Sequence, residues 1–320
     1  MPDRLYPSDP GEAALLLFLD WFGHRYARST RVAERSAEGE PVRSVRIQVG
    51  RRWELDCTLI NSVHGDADLP FEAARAAVEQ RLDLEGLPYA LWLPRGAELP
   101  VGEPGLSQLA LAANEARPID GDRLELRRGV SLYLRRTSLD GSVVTVLGGL
   151  APLWAQFTNR VAGSFQLNAS DLHRLPESEE ERTELIERVV LAAGQPDVDD
   201  SCVIPADDVW TANRLPGERA YVVGSPVAEG DEASAGLRRS LRKLLREAQG
   251  LSSAPADARA LVILAAATEL AGEKVSLTLR GMDPTLYSGY DLIAVVADGQ
   301  VRTVLDSRAG DLPWDAPLPG

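Results

Sequence analysis

The sequence predicts a mixed α/β protein built from two α/β units, each a mixed sheet flanked by helices, joined by a β-meander region. Helical and strand patterns alternate in both halves of the chain, and connectors rich in Pro and Gly separate them. The 320 residues and 44% hydrophobic content suffice for two ordinary packed domains. We therefore expect an N-terminal α/β unit at 1–100, a connector with the meander and an acidic helix at 101–198, and a C-terminal α/β unit at 199–320.

The N-terminal unit opens with an amphipathic helix. Ser8 or Asp9 can cap a helix that begins at Pro10, after which apolar side chains recur at helical spacing. The elements that follow are two strands at 42–49 and 51–60 around Gly50, a helix that ends at Gly86 and a short strand at 88–94. The two strands form either a hairpin or one bent strand.

The middle region begins with a connector at 95–122 that contains a short helix at 106–116. Beyond it, alternating apolar segments and an Asp-Gly turn at 140–141 predict an antiparallel meander. Ser178 precedes a helix with an acidic first turn, which ends at Gly194. Between the meander and this helix, the pattern predicts a short helix within 150–163 and a strand or loop at 164–170.

The C-terminal unit follows a second connector at 196–201. Its predicted elements are a strand at 220–226, a helix at 234–250, a buried strand at 259–268 and another strand at 274–280. The chain closes with the clearest hairpin signal in the sequence, two apolar runs joined across Asp298-Gly299.

Composition excludes several classes of protein. The net charge of −14 argues against a protein coated in basic residues for nucleic acid, and residues 177–232 alone hold fifteen acidic against four basic side chains. The longest apolar runs are shorter than the ~20 residues of a membrane span, and the first residues lack the order of a signal peptide. We expect a soluble cytoplasmic protein that does not contact a membrane, with Cys57 and Cys202 reduced.

Two carboxylates, Glu54 and Asp56, share one face of the predicted strand at 51–60. Carboxylates on one strand face are typical of Mg²⁺ sites in nucleases, and they are also typical of the solvated side of a sheet. Without a stronger motif nearby, the solvated face is the favoured interpretation.

The succession of a strand, a charged helix and a buried strand in each half resembles the core of the restriction-endonuclease-like, PD-(D/E)XK, nuclease family. The resemblance implies that Glu54 and Asp56 stand for the metal-binding acids of one copy, and Asp207 and Asp208 for those of the other. That family also uses an acid-x-lysine triplet, in which the lysine helps to activate water.

The triplet is absent from this sequence. Leu241 stands two residues before Lys243, and Gly272 two residues before Lys274, so neither of the two lysines follows an acid at that spacing. Arginine is a poor replacement because its guanidinium keeps its proton at working pH. The resemblance therefore implies a degenerate member that does not cut, with Mg²⁺ required only if the motif is an unusual one.

Other catalytic classes have little support. None of the three histidines, His24, His64 and His173, is paired at a metal-ligand spacing, and no serine lies in a G-x-S-x-G turn. Each cysteine could form a nucleophile pair with a histidine, Cys57 with His64 or Cys202 with His173, but nothing in the sequence shows that the two side chains of either pair are in contact. There is no P-loop and no G-x-G-x-x-G segment for a nucleotide phosphate, so no cofactor is expected.

The helix predicted at 234–250 is the most distinctive candidate site. A leucine stripe occupies one side, and five cations crowd the other without the carboxylates that normally break up a solvated face: Arg238, Arg239, Arg242, Lys243 and Arg246. This face suits an anionic partner, unless the acidic segment at 177–232 folds back to neutralise it. A second basic group surrounds Tyr133 on the predicted meander, a weaker signal for nucleic acid, and comprises Arg123, Arg127, Arg128, Arg135 and Arg136.

Three functions remain open. The favoured one is a non-catalytic interaction or scaffold subunit of a cytoplasmic assembly for nucleic-acid processing or defence, whose partner is another protein. The alternatives are a Mg²⁺-dependent nuclease of unusual motif and an independent nucleic-acid-binding module that uses the basic helix.

Overall fold

The computed structural model describes residues 6–36, 40–61, 69–94, 96–148, 160–224, 233–251, 255–265, 277, 279–306 and 312–314. The protein has a mixed α/β fold, as the sequence predicts. Five helices are described: α1 (Pro10–Tyr26), α2 (Leu69–Leu84), α3 (Gly105–Asn114), α4 (Glu179–Ala192) and α5 (Ala233–Leu251).

Thirteen strands are described, and both sheets described below contain parallel and antiparallel pairs. Their bounds are β1 (Thr30–Arg35), β2 (Val42–Val49), β3 (Trp53–Asn61), β4 (Tyr89–Trp92), β5 (Arg117–Asp120), β6 (Arg123–Ser138), β7 (Ser142–Leu147), β8 (Gly163–Asn168), β9 (Ser201–Arg214), β10 (Tyr221–Val223), β11 (Ala258–Leu264), β12 (Leu292–Ala297) and β13 (Gln300–Asp306).

The chain divides into two compact units. The first unit comprises Met1–Leu106, Asp120–Arg123 and Thr211–Gly320, and the second unit comprises Ser107–Ile119 and Leu124–Trp210. This division differs from the predicted boundaries at 100 and 198. The physical reason is that β3 and β11, from opposite ends of the chain, pair in parallel over seven residues within the first unit.

A six-stranded sheet forms the core of the first unit, in the order β1-β2-β3-β11-β12-β13. The two central pairs, β3 with β11 and β11 with β12, are parallel, and the outer pairs are antiparallel. α1 packs on one face with a buried cluster that includes Phe18 and Phe22, and α5 packs on the other with Leu241 and Leu245. Because both faces are covered, β12 is apolar throughout, and β11 is apolar except for Arg259.

The local signals at the start of the chain act as predicted. The carboxylate of Asp9 caps α1 by accepting a hydrogen bond of 2.8 Å from the backbone N–H of Gly11, and Pro10 occupies the first turn. Gly50 has a φ of +61°, which turns β2 back along β3 in a hairpin.

Side chains of α2 cap an edge strand of the first unit. β10 pairs with β4 in parallel on one side, while Glu79 accepts a hydrogen bond of 2.8 Å from the N–H of Val222, and Arg75 donates one of 3.1 Å to its carbonyl. Arg75 and Glu79 are both buried. Capping the backbone groups of Val222 removes a template on which another strand could pair.

The predicted hairpin at Asp298-Gly299 is confirmed. Both residues have positive φ, as the turn requires, and the turn is buried. Asn213 donates a hydrogen bond of 3.1 Å to the carbonyl of Gly299 and accepts one of 2.7 Å from the indole of Trp92. A Cβ on Gly299 would lie 2.3 Å from the amide oxygen of Asn213, so only glycine fits there.

The second unit places the first ten residues of β9 beside β6, followed by β8 and β7, with β5 pairing to β6. β8 is antiparallel to β6 and parallel to β7, so β7 does not continue the predicted antiparallel meander. α4 begins at Glu179, after a cap by Ser178, and packs Leu185 and Val189 on the unit's core. The prediction of this helix is confirmed, and of the two alternatives at 164–170, a strand or a loop, the strand is found as β8.

Several sequence expectations need correction. β1, β5 and β9 were not predicted, and the connector proposed at 196–201 leads directly into β9. The strand predicted at 274–280 is wrong at Leu277, Leu279 and Arg280, which are helical; its other residues lie outside the described structure, as do most of those of the helix predicted at 150–163.

Two expectations concern cysteines and membranes. Cys57 and Cys202 are free thiols, as predicted. Among the described helices, none is both long and apolar enough to cross a bilayer.

Candidate functional site

The two acids of β3 have different surroundings. Glu54 is 52% exposed and forms an ion pair with Arg46 on β2, with 3.0 Å between guanidinium nitrogen and carboxylate oxygen. Asp56 is only 5% exposed and accepts a hydrogen bond of 3.2 Å from the hydroxyl of Ser44. The prediction of a solvated strand face therefore suits Glu54 and is wrong for Asp56.

Asp56 lies between two arginines of the same sheet. It is directly opposite Arg46 on β2 and Arg259 on β11, so its side chain lies on the same face of the sheet as the side chains of both arginines. Tyr290 lies on this side too; burial raises the pKa of its hydroxyl and the charge of Asp56 adds to the rise. Cross-strand pairing therefore places two arginines beside this carboxylate.

Asp208, on β9, is a buried hydrogen-bond acceptor with four donors. Its carboxylate accepts from the backbone N–H groups of His173 and Arg174 at 2.7 and 2.9 Å. It also contacts the His173 ring nitrogen Nδ1 at 3.1 Å and accepts from the Trp210 indole at 2.8 Å, while a guanidinium nitrogen of Arg128 lies 3.8 Å away. The carboxylate joins the loop before α4 to β9, and its oxygens are already occupied.

Asp207 points to the other face of β9 and is 48% exposed, 4.0 Å from Arg127. The four acids predicted from the nuclease resemblance are therefore divided, with Glu54 and Asp56 in the first unit and Asp207 and Asp208 in the second. In the described part of the chain, neither pair belongs to a group of three side chains that could bind one metal ion.

The basic helix α5 is held by its leucine stripe. Leu241, Leu244, Leu245 and Ala248 are buried against the six-stranded sheet. The residues between them face outward, as 3.6 residues per turn requires, and four of the predicted cations are exposed: Arg239, Arg242, Lys243 and Arg246. The fifth, Arg238, lies on the helix, but its side chain is outside the described structure.

These cations share a shallow surface pocket with Glu247. Lys243 lies 3.8 Å from Glu247, one helical turn away, and its side chain is 78% exposed. Within the described residues, the guanidinium groups of Arg239, Arg242 and Arg246 have no carboxylate within ion-pair distance. We call these four side chains the α5 basic face; in the described part of the chain, it has one acidic neighbour for four cations.

Acidic residues of 177–232 are engaged within the second unit. Glu181 accepts two hydrogen bonds of 2.9 Å from Arg127, and Glu187 accepts two, of 2.8 and 2.7 Å, from Arg160. Asp199 accepts one of 2.9 Å from Arg135. Residues 225–232 of the segment lie outside the described structure. These three acids thus have described partners other than the α5 basic face.

The arginines of the second basic group form ion pairs and ring contacts within the protein. Arg123 is buried and pairs with Asp120. Each of the other four arginines has a contact within the second unit: Arg127 with Glu181, Arg128 over the ring of Trp210, Arg135 with Asp199 and Arg136 over the ring of Phe165. Tyr133 is 47% exposed. This group therefore stabilises the sheet, and its contacts do not favour a nucleic-acid surface.

The cysteines do not resemble nucleophiles. Cys57 is fully buried, and burial raises the pKa of its thiol. Burial also raises the pKa of Cys202, whose sulfur donates to the carbonyl of Ala192 at 3.6 Å. A reactive cysteine needs a lowered pKa, so both thiols are better suited to packing.

Sequence analysis missed the role of the residues around Asp208. Asp208 and Trp210 are two residues apart and therefore share a strand face, a signal that was available but depended on predicting β9. No signal linked them to His173, 35 residues earlier in the chain.

No family model, no curated protein and no solved structure matches this chain. The function has to be argued from the residues themselves.

Proposed function

We propose that this protein is a non-catalytic interaction subunit of a cytoplasmic assembly, and that the α5 basic face binds an acidic segment of a partner protein. The observation that carries the proposal is the set of four exposed cations on one helix face, with Glu247 as the single carboxylate beside them among the described residues. Like charges at helical spacing repel one another, and an anionic partner removes that cost.

The geometry of the α5 basic face fits an extended acidic peptide. Arg239 and Lys243 are four residues apart, as are Arg242 and Arg246, which corresponds to about 6 Å along the helix axis. In an extended strand, alternate side chains are about 6.6 Å apart. A segment with Asp or Glu at alternate positions therefore presents carboxylates at nearly the spacing of the cations, and arginine binds carboxylates through a planar donor fork.

The overall charge favours a short acidic segment over nucleic acid. At a net charge of −14, a polyanion that extends past α5 is repelled by the rest of the protein surface. A peptide the length of the basic face, roughly 10 Å for the eight residues from Arg239 to Arg246, avoids most of that repulsion.

The absence of catalysis in this proposal rests on the acids of the nuclease resemblance. Asp56 lies between two arginines, and the oxygens of Asp208 are occupied by four donors. The resemblance to the PD-(D/E)XK family is proposed as one of architecture alone. It is our reason for assigning the assembly to nucleic-acid processing or defence.

The test is charge reversal on the helix, with two probes. Binding of a fluorescent polyglutamate peptide and of a random-sequence DNA duplex is measured for the wild type and for Arg239→Glu with Lys243→Glu. We expect the wild type to bind the peptide, and the double variant to bind it at least about tenfold more weakly, because two attractive contacts become repulsive.

The matched control is Arg31→Glu with Arg302→Glu, which changes net charge equally at two exposed arginines outside α5. It should retain peptide binding. DNA binding that depends on the α5 basic face, without peptide binding, would replace the proposal by a nucleic-acid module. Equal loss in both double variants would mean that net charge alone sets the affinity and would overturn the proposal.

A further inference from the structure

A second cluster of polar side chains lies in the first unit, away from α5. Asp20 and His24 are four residues apart on α1, so one helical turn places them on the same face. A ring nitrogen of His24, Nδ1, is 3.4 Å from a carboxylate oxygen of Asp20. Asp122, in the turn between β5 and β6, brings a second carboxylate, and the ligand atoms of all three residues lie within 4.8 Å of one another.

The turn that carries Asp122 is fixed in the first unit. Arg123 is buried, with 5% of its surface exposed, and pairs with Asp120 at 3.3 Å. Asp120 and Arg123 therefore hold the two sides of the turn, and Asp122 remains exposed beside α1.

The cluster places two carboxylates beside one imidazole. A cation bound between them would neutralise the repulsion between the two carboxylates.

We propose that Asp20, His24 and Asp122 bind one divalent transition-metal ion, with Zn²⁺ as the ion to test. Imidazole favours transition metals over Mg²⁺ and Ca²⁺, and two carboxylates complete a set of three protein ligands. Three protein ligands leave a fourth tetrahedral position for water.

The site needs only a small side-chain adjustment. Zn²⁺ holds N and O ligands at about 2.1 Å, so tetrahedral ligand atoms are about 3.4 Å apart. The present limit of 4.8 Å exceeds this by little more than an ångström. Exposed side chains can change rotamer to close that gap. The bound ion cross-links the Asp122 turn to α1.

The test uses the full chain after treatment with a chelator. Zn²⁺ binding is measured by calorimetry, and the nitrogen resonances of the histidine rings are followed by NMR. The chain has three histidines, and His24→Ala assigns the signal of interest. We expect one equivalent to bind and to shift the His24 ring, and we expect Asp122→Asn and His24→Ala each to weaken binding by about tenfold or more.

The matched control is Asp171→Asn, the same substitution at an exposed carboxylate of the second unit. It should leave Zn²⁺ affinity unchanged. Binding that shifts a different histidine, unchanged affinity in Asp122→Asn, or no binding by the wild type would each overturn the proposal. If a variant fails to fold, line broadening of the wild-type His24 ring by Mn²⁺ decides, because only an ion held at the cluster broadens it selectively.

Discussion

α4 and α5 are both amphipathic helices with strongly charged outer faces, and the fold treats their charges differently. On α4, Glu181 and Glu187 each accept two hydrogen bonds from an arginine of the second unit. On α5, four exposed cations have Glu247 as their acidic neighbour in the described part of the chain.

The difference separates a charge that stabilises a fold from a charge that remains for a partner. In the sequence, both helices have runs of like charge. The acids of α4 would therefore predict a docking surface as readily as the arginines of α5 do. The contacts distinguish them, because a bidentate arginine already supplies what an external cation would offer to Glu181.

The largest effect expected from breaking a paired charge is at Asp208. Asp208→Ala leaves the donors of His173, Arg174 and Trp210 without an acceptor in a site with no solvent exposure. We expect a loss of about 3–5 kcal/mol in the free energy of unfolding of the second unit, measured by urea denaturation.

Asp207→Ala is the matched control for Asp208→Ala. Asp207 is the neighbouring residue, 48% exposed and 4.0 Å from Arg127, so its loss should change stability by less than about 1 kcal/mol. Equal effects at the two positions would contradict the assignment of Asp208 as a buried hydrogen-bond acceptor.

The elements with strong local signals could be predicted from the sequence. Asp9 and Pro10 mark the start of α1, Ser178 marks α4, and Asp298-Gly299 marks the last hairpin. β9 could not be predicted in the same way, because Pro205 and the adjacent acids Asp207 and Asp208 are residues that usually interrupt a strand. Its length comes from pairing with neighbouring strands on either side, which no local pattern encodes.

Long-range pairing sets the limit for both the fold and the candidate sites. Asp56 and Arg259 are opposite each other although about 200 residues separate them, so neither the sheet nor the pairing of these two residues was visible in the sequence. The α5 basic face was predictable because helical spacing alone creates it. The cluster of Asp20 and Asp122 was not, since only its Asp20–His24 half has a local spacing.

A smaller effect, of opposite sign, is expected on α5. Arg242 faces Arg239 and Arg246 at helical spacings of three and four residues, and like charges at these spacings cost about 0.2–0.5 kcal/mol each. Arg242→Gln should therefore raise the free energy of unfolding of the first unit slightly at low salt, and the gain should shrink as salt screens the charges.

Lys243→Gln is the matched control for Arg242→Gln. Lys243 has Glu247 as a partner at 3.8 Å, so its removal loses an attraction as well as a repulsion and should leave stability nearly unchanged. A clear destabilisation by Arg242→Gln would show that a partner within the chain already neutralises the α5 basic face.

The smallest expected effect is at Glu187, an exposed acid of α4. The hydrogen bonds from Arg160 lower the pKa of Glu187 below its ordinary value. A lowered folded-state pKa contributes stability that is present above the unfolded pKa and is lost as pH falls through the folded pKa. Because both side chains are exposed, the contribution to stability is small, and the pKa itself is the better measurement.

Titration of the Glu187 carboxyl by NMR should give a pKa below that of a free glutamate, and Arg160→Ala should return it to the ordinary value. Arg182→Ala, on the same helix but bonded to the carbonyls of Ser178 and Glu177, should leave the pKa of Glu187 unchanged. If both arginine variants moved it equally, the shift would belong to the general field of the helix, and the contrast between α4 and α5 would rest on Glu181 alone.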